Sequence, residues 1–415
     1  NAANNNVRIH HNHVAQNGNF GGTGGGVSLY TGALNYQVTN NFICGNFAQT
    51  HGAGIGHLGR SNNGLIADNT IIFNQSFNQG QNVSGGGVFV GGAAGLTVNA
   101  LTPGAGSVTI DGNLIQGNHA AAGDGGGIAA DHINGADITS LTFAQWNNLD
   151  ILNNMIVNNV AGLAGGGISL QDTAKVRIVN NTVANNDSTS TVSTAFLNNP
   201  NESEPQPGAG ILARAHSAGL TSAIAATNAT ILYKRGFSNP SALRNNIIWH
   251  NRSFYWSVSN ATDPATFGLI PDVGAGAAPV YSDVAVLPAT LGYLNPSYSV
   301  LTDVTGYPAG NFNISTDPLF VDEVLNGDRG QTIIQPEFTT SLTTAPAFDE
   351  GGNFIDVRYG PLSLSGNYHL QTTSPGINRA LPFTGVPRLQ QDFDNAQRLS
   401  LPLPLPWDIG ADEVR

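Results

Sequence analysis

Cysteine, lysine and methionine are nearly missing from these 415 residues: there is one cysteine, Cys44, one methionine, and lysine only at 175 and 234. A single cysteine excludes an internal disulfide and neither requires nor forbids an oxidising compartment. With a formal charge of -12 the chain has no basic stripe to neutralise phosphates, so nucleic acid is not an expected partner. The negative balance also opposes encounter with an acidic polymer unless a local basic patch or bound cations intervene. No apolar run approaches the roughly 18 residues that would suggest a membrane span. Charged residues amount to only 10%, so the usual Lys/Glu coat is absent and other polar groups must solvate the surface.

Those groups are Asn, Ser and Thr, set among 52 glycines. The composition favours export, hence an extracellular or cell-surface location. The first residues already belong to a repeat and show no basic n-region or apolar h-region. A signal peptide is therefore expected to have been removed, or to belong to an upstream part of a longer exported polypeptide.

The repeat is Asn-x-(Ile/Val)-x-x-Asn, found at Asn12-Val14-Asn17, Asn41-Ile43-Asn46, Asn69-Ile71-Asn74, Asn113-Ile115-Asn118, Asn154-Ile156-Asn159, Asn181-Val183-Asn186 and Asn246-Ile248-Asn251. Successive copies start 29, 28, 44, 41, 27 and 65 residues apart, so the shortest coil has 27 to 29 residues and the others carry insertions. A second unit, Gly-x-Gly-(Ile/Val), alternates with the first, as in Gly125-Gly126-Gly127-Ile128 and Gly165-Gly166-Gly167-Ile168. Before each Asn unit the chain alternates with period 2, as in Val108-Thr109-Ile110 and Val176-Arg177-Ile178, which is a strand pattern. Self-similarity at this period means a solenoid. Coils of about 28 residues are expected to carry three short parallel strands, stacked about 4.8 Å apart. Asn suits the bends because it tolerates left-handed backbone and its amide can donate to one coil while accepting from the other. Two internal Asn ladders follow.

These residues resemble the right-handed parallel β-helix proteins of bacterial secretion and surface systems, the pectate-lyase-like superfamily. The resemblance rests on the repeat over residues 1–260. It extends to Asp317-Pro318-Leu319-Phe320, Tyr368-His369-Leu370, Asp392-Phe393-Asp394 and Asp408-Ile409-Gly410-Ala411-Asp412-Glu413, which look like the closing region of large secreted members. The usual Ser-Pro-Ala-Ile-Asp reads Ser374-Pro375-Gly376-Ile377-Asn378 here. The implied fold is an all-β right-handed parallel β-helix solenoid with an irregular C-terminal capping region. Its coils occupy 1–260, with insertions at 131–148, 187–207 and 214–241. An irregular excursion follows at 261–316, then C-terminal coils and cap at 317–415.

Insertions at equivalent corners would wall a groove along one outward face, where members of this superfamily usually bind long polymers. The outward column there reads Arg8, Gln37, Leu65, Thr109, Asp150, Arg177 and Ala242. A polysaccharide lyase or epimerase needs a cation to neutralise a uronate carboxylate and a base for the C5 proton, roles open to Lys175, Arg177 and His132. Asp131, Trp146, Asp150, Arg214 and His216 are the matching ligand-binding candidates. The plainer reading makes Asp150 and Arg177 a surface ladder pair. A glycoside hydrolase would need clustered carboxylates, for which Asp124, Asp131, Asp137 and Asp150 are the only group near the groove.

His10-His11-Asn12-His13 reads as polar corner residues rather than a metal site, because alternation turns adjacent side chains apart. His57 aligns with inward Leu29, Val90 and Leu170 and so reads as a hydrogen-bonded core residue. Asp317, Asp322, Asp392 and Asp394 could supply oxygens to a Ca²⁺ ion, although no cofactor is required.

Two functions compete. One is a non-catalytic surface protein with a structural, adhesive or glycan-binding role, whose partner is a polysaccharide, a cell-surface glycan or another surface protein. Trp146, Trp249, Tyr255 and Trp256 are the candidates for an exposed aromatic row. The other is a lyase or epimerase acting on an acidic polysaccharide.

Overall fold

Alternating apolar residues put one side of each short strand inward, and the bends between strands bring successive repeats into register. In the computed structural model, which describes residues 4–78, 81–93, 100–257, 268–272, 280–324, 366–398 and 406–414, the result is a stack of parallel sheets. Each coil enters four sheets rather than the three expected. The first has seven strands, from Arg8–His10 to Ala242–Arg244, and the second eight, from His13–Ala15 to Val300–Leu301. The third runs from Gly18–Asn19 to Arg252–Ser257 and gains Gly268–Pro271 as an antiparallel edge. The fourth has seven strands, from Val27–Tyr30 to Val284–Leu287. The third-sheet strands escape a pattern search because most are two residues long.

The core is the set of inward columns. Val38, Ile66, Ile110, Ile151 and Ile178 come from the first sheet, Ile43, Ile71, Ile115, Ile156 and Val183 from the second, and Ile55, Val88, Ile128 and Ile168 from the fourth. His57 sits in that core, between Leu29 and Val90 in register. Its Nδ1 lies 2.9 Å from the Tyr36 hydroxyl and its Nε2 2.7 Å from the Gly59 carbonyl. Burial pushes its pKa down to about 4, so the ring is neutral.

Two asparagine ladders run the length of the stack. In each rung the backbone N–H and Nδ2 of one Asn donate to Oδ1 of the next, as from Asn113 to Asn154 at 3.0 and 2.9 Å and from Asn118 to Asn159 at 3.0 and 3.0 Å. Nδ2 also donates backwards to a carbonyl of the preceding coil, as from Asn154 to Ile110 at 3.0 Å. The ladder residues do not themselves take the left-handed backbone. The residue just before each does, as at Asn40, Asp68, Asn153, Asn180 and Asn245 (φ 51 to 59°). The repeat keeps Asn for its two-way amide, while the bend in front of it is mostly Asn, Asp or Gly but also takes His11, Gln16, Phe73 and His250.

The glycine corner has a similar division of labour. Gly125 takes φ 69°, which disfavours other residues, and a Cβ on Gly127 would stand 2.7 Å from the Gly167 carbonyl of the next coil. The middle position tolerates alanine, as at Ala53 and Ala209.

Within 261–316 the described residues hold a further coil, since Val284–Leu287 pairs with Ile211–Arg214 and Val300–Leu301 with Ile247–Trp249. The excursion is therefore part of the stack. It lacks the repeat because Asp283 and Ser299 replace asparagine as acceptors for Asn251 and Asn246. The described part of the closing region packs against the side of the stack. Residues 366–398 and 406–414 lie along its side, on the outward face of the second sheet, where Tyr368, Leu370, Leu389, Trp407 and Ile409 pack with Met155, Val157, Val179 and Ile247.

Candidate functional site

The insertions at 131–148 and 214–241 both leave the corner between the fourth and first sheets. Their helices, α1 (Asp137–Ser140) and α2 (Ala218–Ala225), form one lobe around Ile138, Trp146, Leu220 and Ile224. Asp137 braces this lobe: it accepts from Gly135 N at 2.6 Å, Asn134 Nδ2 at 2.8 Å and Asn147 N at 2.8 Å. It is thus a structural carboxylate. Trp146 is 3% exposed, so it supports the lobe and offers no stacking surface. Trp249 and Trp256 are buried and Tyr255 is half-buried, so the expected exposed aromatic row is not formed.

The outward column of the first sheet has the register expected of it, with Thr109 beside Leu65 and Asp150, and Arg177 beside Asp150 and Ala242. Arg177 grips Asp150 with two bonds, Nε to Oδ1 and Nη2 to Oδ2, each 2.6 Å. Such a bidentate, half-buried pair is more than a loose surface contact. Lys175 donates through Nζ to the carbonyls of Phe143 and Ala144 at 3.3 and 3.2 Å and lies over the Phe143 ring. Burial, with the neighbouring Arg177 charge, lowers its pKa.

His132 belongs to a separate cluster at the end of the fourth sheet. Its Nδ1 is 2.6 Å from Asp131 Oδ1 and its Nε2 3.3 Å from Asp172 Oδ2. The Asp131 bond chiefly raises its pKa, against the opposing effect of burial. Asp172 accepts from Ser217 N at 2.7 Å, and His216 Nδ1 stands 3.5 Å away without hydrogen-bond alignment. Burial alone would raise the Asp172 pKa, but His216, Ser217 and His132 together hold it low. Arg214 closes on Asp124 at 2.5 and 2.9 Å.

The eight residues therefore divide: Lys175, Arg177 and Asp150 on one face, His132, Asp131, His216 and Arg214 on another, and Trp146 inside the lobe. Asp172, which organises the second group, is the residue that sequence reading missed. Only its place four residues after inward Ile168, at the end of a strand, could have flagged it.

The oxygen candidates for a cation also separate. Asp317 accepts from Leu319 N at 2.8 Å, and Asp322 is exposed on the strand Phe320–Asp322. Asp392 braces a turn by accepting from Asp394 N and Ala396 N at 3.0 and 2.7 Å. Asp394 alone joins a convergent donor group, with His369 and Asp412. The His10 and His11 Nδ1 atoms lie 3.0 Å apart at an exposed corner, and His13 meets Phe42 edge-on.

These features define a predominantly β protein of stacked parallel sheets with asparagine hydrogen-bond stacks. No helix among the described residues is long and apolar enough to cross a membrane. Comparison of the chain with protein-family models, curated proteins and solved structures finds no match.

Proposed function

We propose that the stack is a right-handed parallel β-helix of the pectate-lyase-like type, exported to a bacterial surface or beyond it. There it serves as a non-catalytic scaffold that adheres to neutral glycans. One observation carries this reading: four of the cations at the inserted corner are already engaged, which leaves the exposed Arg235 as the one Lys or Arg of these insertions without a hydrogen-bond or ion-pair partner among the described residues. Arg177 is held by Asp150, Arg214 by Asp124, Lys175 by two carbonyls, and Lys234 by the carbonyls of Ala225 and Thr227. A uronate carboxylate would have to displace these partners to find more than the single counter-charge of Arg235. Hydroxyl groups need no counter-charge, and the same corner of the early coils displays a line of exposed amides. Asn63 donates to Asn35 and Asn35 to Asn6, at 3.1 and 3.3 Å. Such amides can exchange hydrogen bonds with sugar hydroxyls.

The competing reading, a lyase or epimerase on acidic polysaccharide, is favoured by the lowered pKa of Lys175, which suits a base. Affinity electrophoresis in neutral and acidic polysaccharides, run beside an assay for unsaturated products, separates the two. Retardation by a neutral polymer that is lost in Asn35→Ala, with no unsaturated product, is the expected result. Product formation abolished by Lys175→Ala or Arg177→Ala would replace adhesion with catalysis.

A further inference from the structure

We propose that His369, Asp394 and Asp412 form a binding site for a small first-row divalent cation, Zn²⁺ being the best match, which fastens three separate pieces of the C-terminal segment together. His369 comes from the strand Asn367–Leu370, Asp394 from the turn that follows Asp392, and Asp412 from the tail. One donor atom of each lies within 4.8 Å of the others.

The hydrogen bonds fix which ring nitrogen of His369 is available. The His369 backbone N–H donates to Asn367 Oδ1 at 3.0 Å, which identifies that atom as the amide oxygen. The same oxygen lies 2.5 Å from His369 Nδ1, so Nδ1 must carry a proton. In the neutral ring Nε2 is then a lone pair, and it faces Asp394 Oδ2 at 3.0 Å. Two acceptors this close require a proton between them, on the ring or on the carboxyl, or a metal ion. An imidazole whose far nitrogen is held by a carbonyl oxygen is also the usual arrangement behind a metal-bound histidine.

A further carboxylate favours the ion. Asp392 is 4% exposed, and its Oδ2 is buried without a hydrogen-bond partner. Asp412 Oδ2 accepts from Leu370 N at 2.8 Å, which orients that carboxylate and leaves its other oxygen as a ligand. The nearby cation, Arg398, is occupied by Glu413 at 2.8 Å and by the carbonyls of Gly410 and Ala411 at 3.2 and 2.9 Å. One nitrogen and two carboxylate oxygens, with water completing the sphere, suit Zn²⁺ at roughly 2.0–2.2 Å. Ca²⁺, which takes about 6 to 8 oxygens, matches this set poorly.

The test uses the full chain with the exposed His10, His11 and His13 changed to Gln, so that the titration reads no background from them. After removal of metal by chelation, Zn²⁺ is titrated calorimetrically and thermal unfolding is followed with and without the ion. One equivalent should bind with micromolar affinity or better and raise the midpoint. Asp394→Asn, at a largely exposed side chain, should fold normally by circular dichroism, weaken binding at least about tenfold and abolish the thermal shift. His369→Gln should do the same. Absence of a stoichiometric site in the parent chain, or equal binding by Asp394→Asn, would leave an imidazolium–carboxylate pair as the explanation and overturn the proposal. A midpoint raised equally by Ca²⁺ would overturn the assignment to a first-row metal.

Discussion

Asn154 takes part in bonds to both neighbouring coils: it accepts two from Asn113, and its Nδ2 donates to Ile110, Leu152 and Asn181. Asn154→Ala would orphan buried donors on one side and buried carbonyls on the other, for an expected loss of about 3 kcal/mol or more in urea unfolding. The ion pairs invite a comparison by burial. Arg252 and Asp187 are both fully buried and bond at 3.2 Å, so Arg252→Ala should cost about 3–5 kcal/mol by stranding the carboxylate. Arg177→Ala, at a pair open to solvent on one side, should cost about 1–2 kcal/mol. At this scale the sequence was readable wherever one side chain repeats one task. The ladder Asn recurs because no other residue donates and accepts in line with the stack. The partners of Asp172 were not readable, since they meet through a corner insertion with no fixed spacing.

The same ladders, taken as elements, end in a change of residue. Asn251 gives its N–H and Nδ2 to Asp283 Oδ1, at 3.3 and 3.0 Å, and Asn246 gives its N–H to Ser299 Oγ at 3.2 Å. Asp283 accepts from the Asn251 amide, while Ser299 accepts and also donates, its N–H to Asn313 Oδ1 at 3.1 Å and its Oγ to the Ser297 carbonyl at 2.9 Å, so a carboxylate or hydroxyl suffices in the last coil and the motif disappears while the coil persists. That is why the last coil looked like an excursion. The end rung carries a pH signature. Burial pushes the Asp283 carboxyl up to about 6, opposed by bonds from Asn251 and Thr302, and Tyr307 stands near enough to feel its charge. An unfolded Asp titrates near 3.9, so between these values the folded state holds the extra proton. Its contribution is greatest below pH 4 and declines as pH rises through 6, by about 3 kcal/mol for a shift of roughly two pKa units. Asp283→Asn should remove that slope from the difference between urea unfolding at pH 4.5 and pH 7, whatever it costs overall.

For the molecule as a whole, the described residues of 366–398 and 406–414 cover apolar residues of the second sheet, such as Met155, Val157 and Ile247, and Val179 at the end of a first-sheet strand. Ending the chain after residue 324 should expose this face, raise binding of a hydrophobic dye and lower the unfolding midpoint by several degrees. A closing region could be recognised from Asp408-Ile409-Gly410-Ala411-Asp412-Glu413, but its side-on placement could not. Contacts such as Asn153 to the Arg388 carbonyl, at 3.3 Å, and Asn180 to the Gly410 carbonyl, at 3.3 Å, join residues more than two hundred positions apart and have no periodicity to announce them.

That placement has a consequence for how long the molecule is allowed to be. A ladder whose every rung makes the same forward and backward bonds contains no information about number, and a whole coil could be copied or dropped without disturbing the match between its neighbours. The side segment is different. Asn395 reaches Asp68, Arg388 reaches Asp111, and the Leu381 carbonyl meets Asn245, so its turns are matched to particular coils. It acts as a ruler laid against a chain of interchangeable links, and a stack with one link too many would no longer meet its marks.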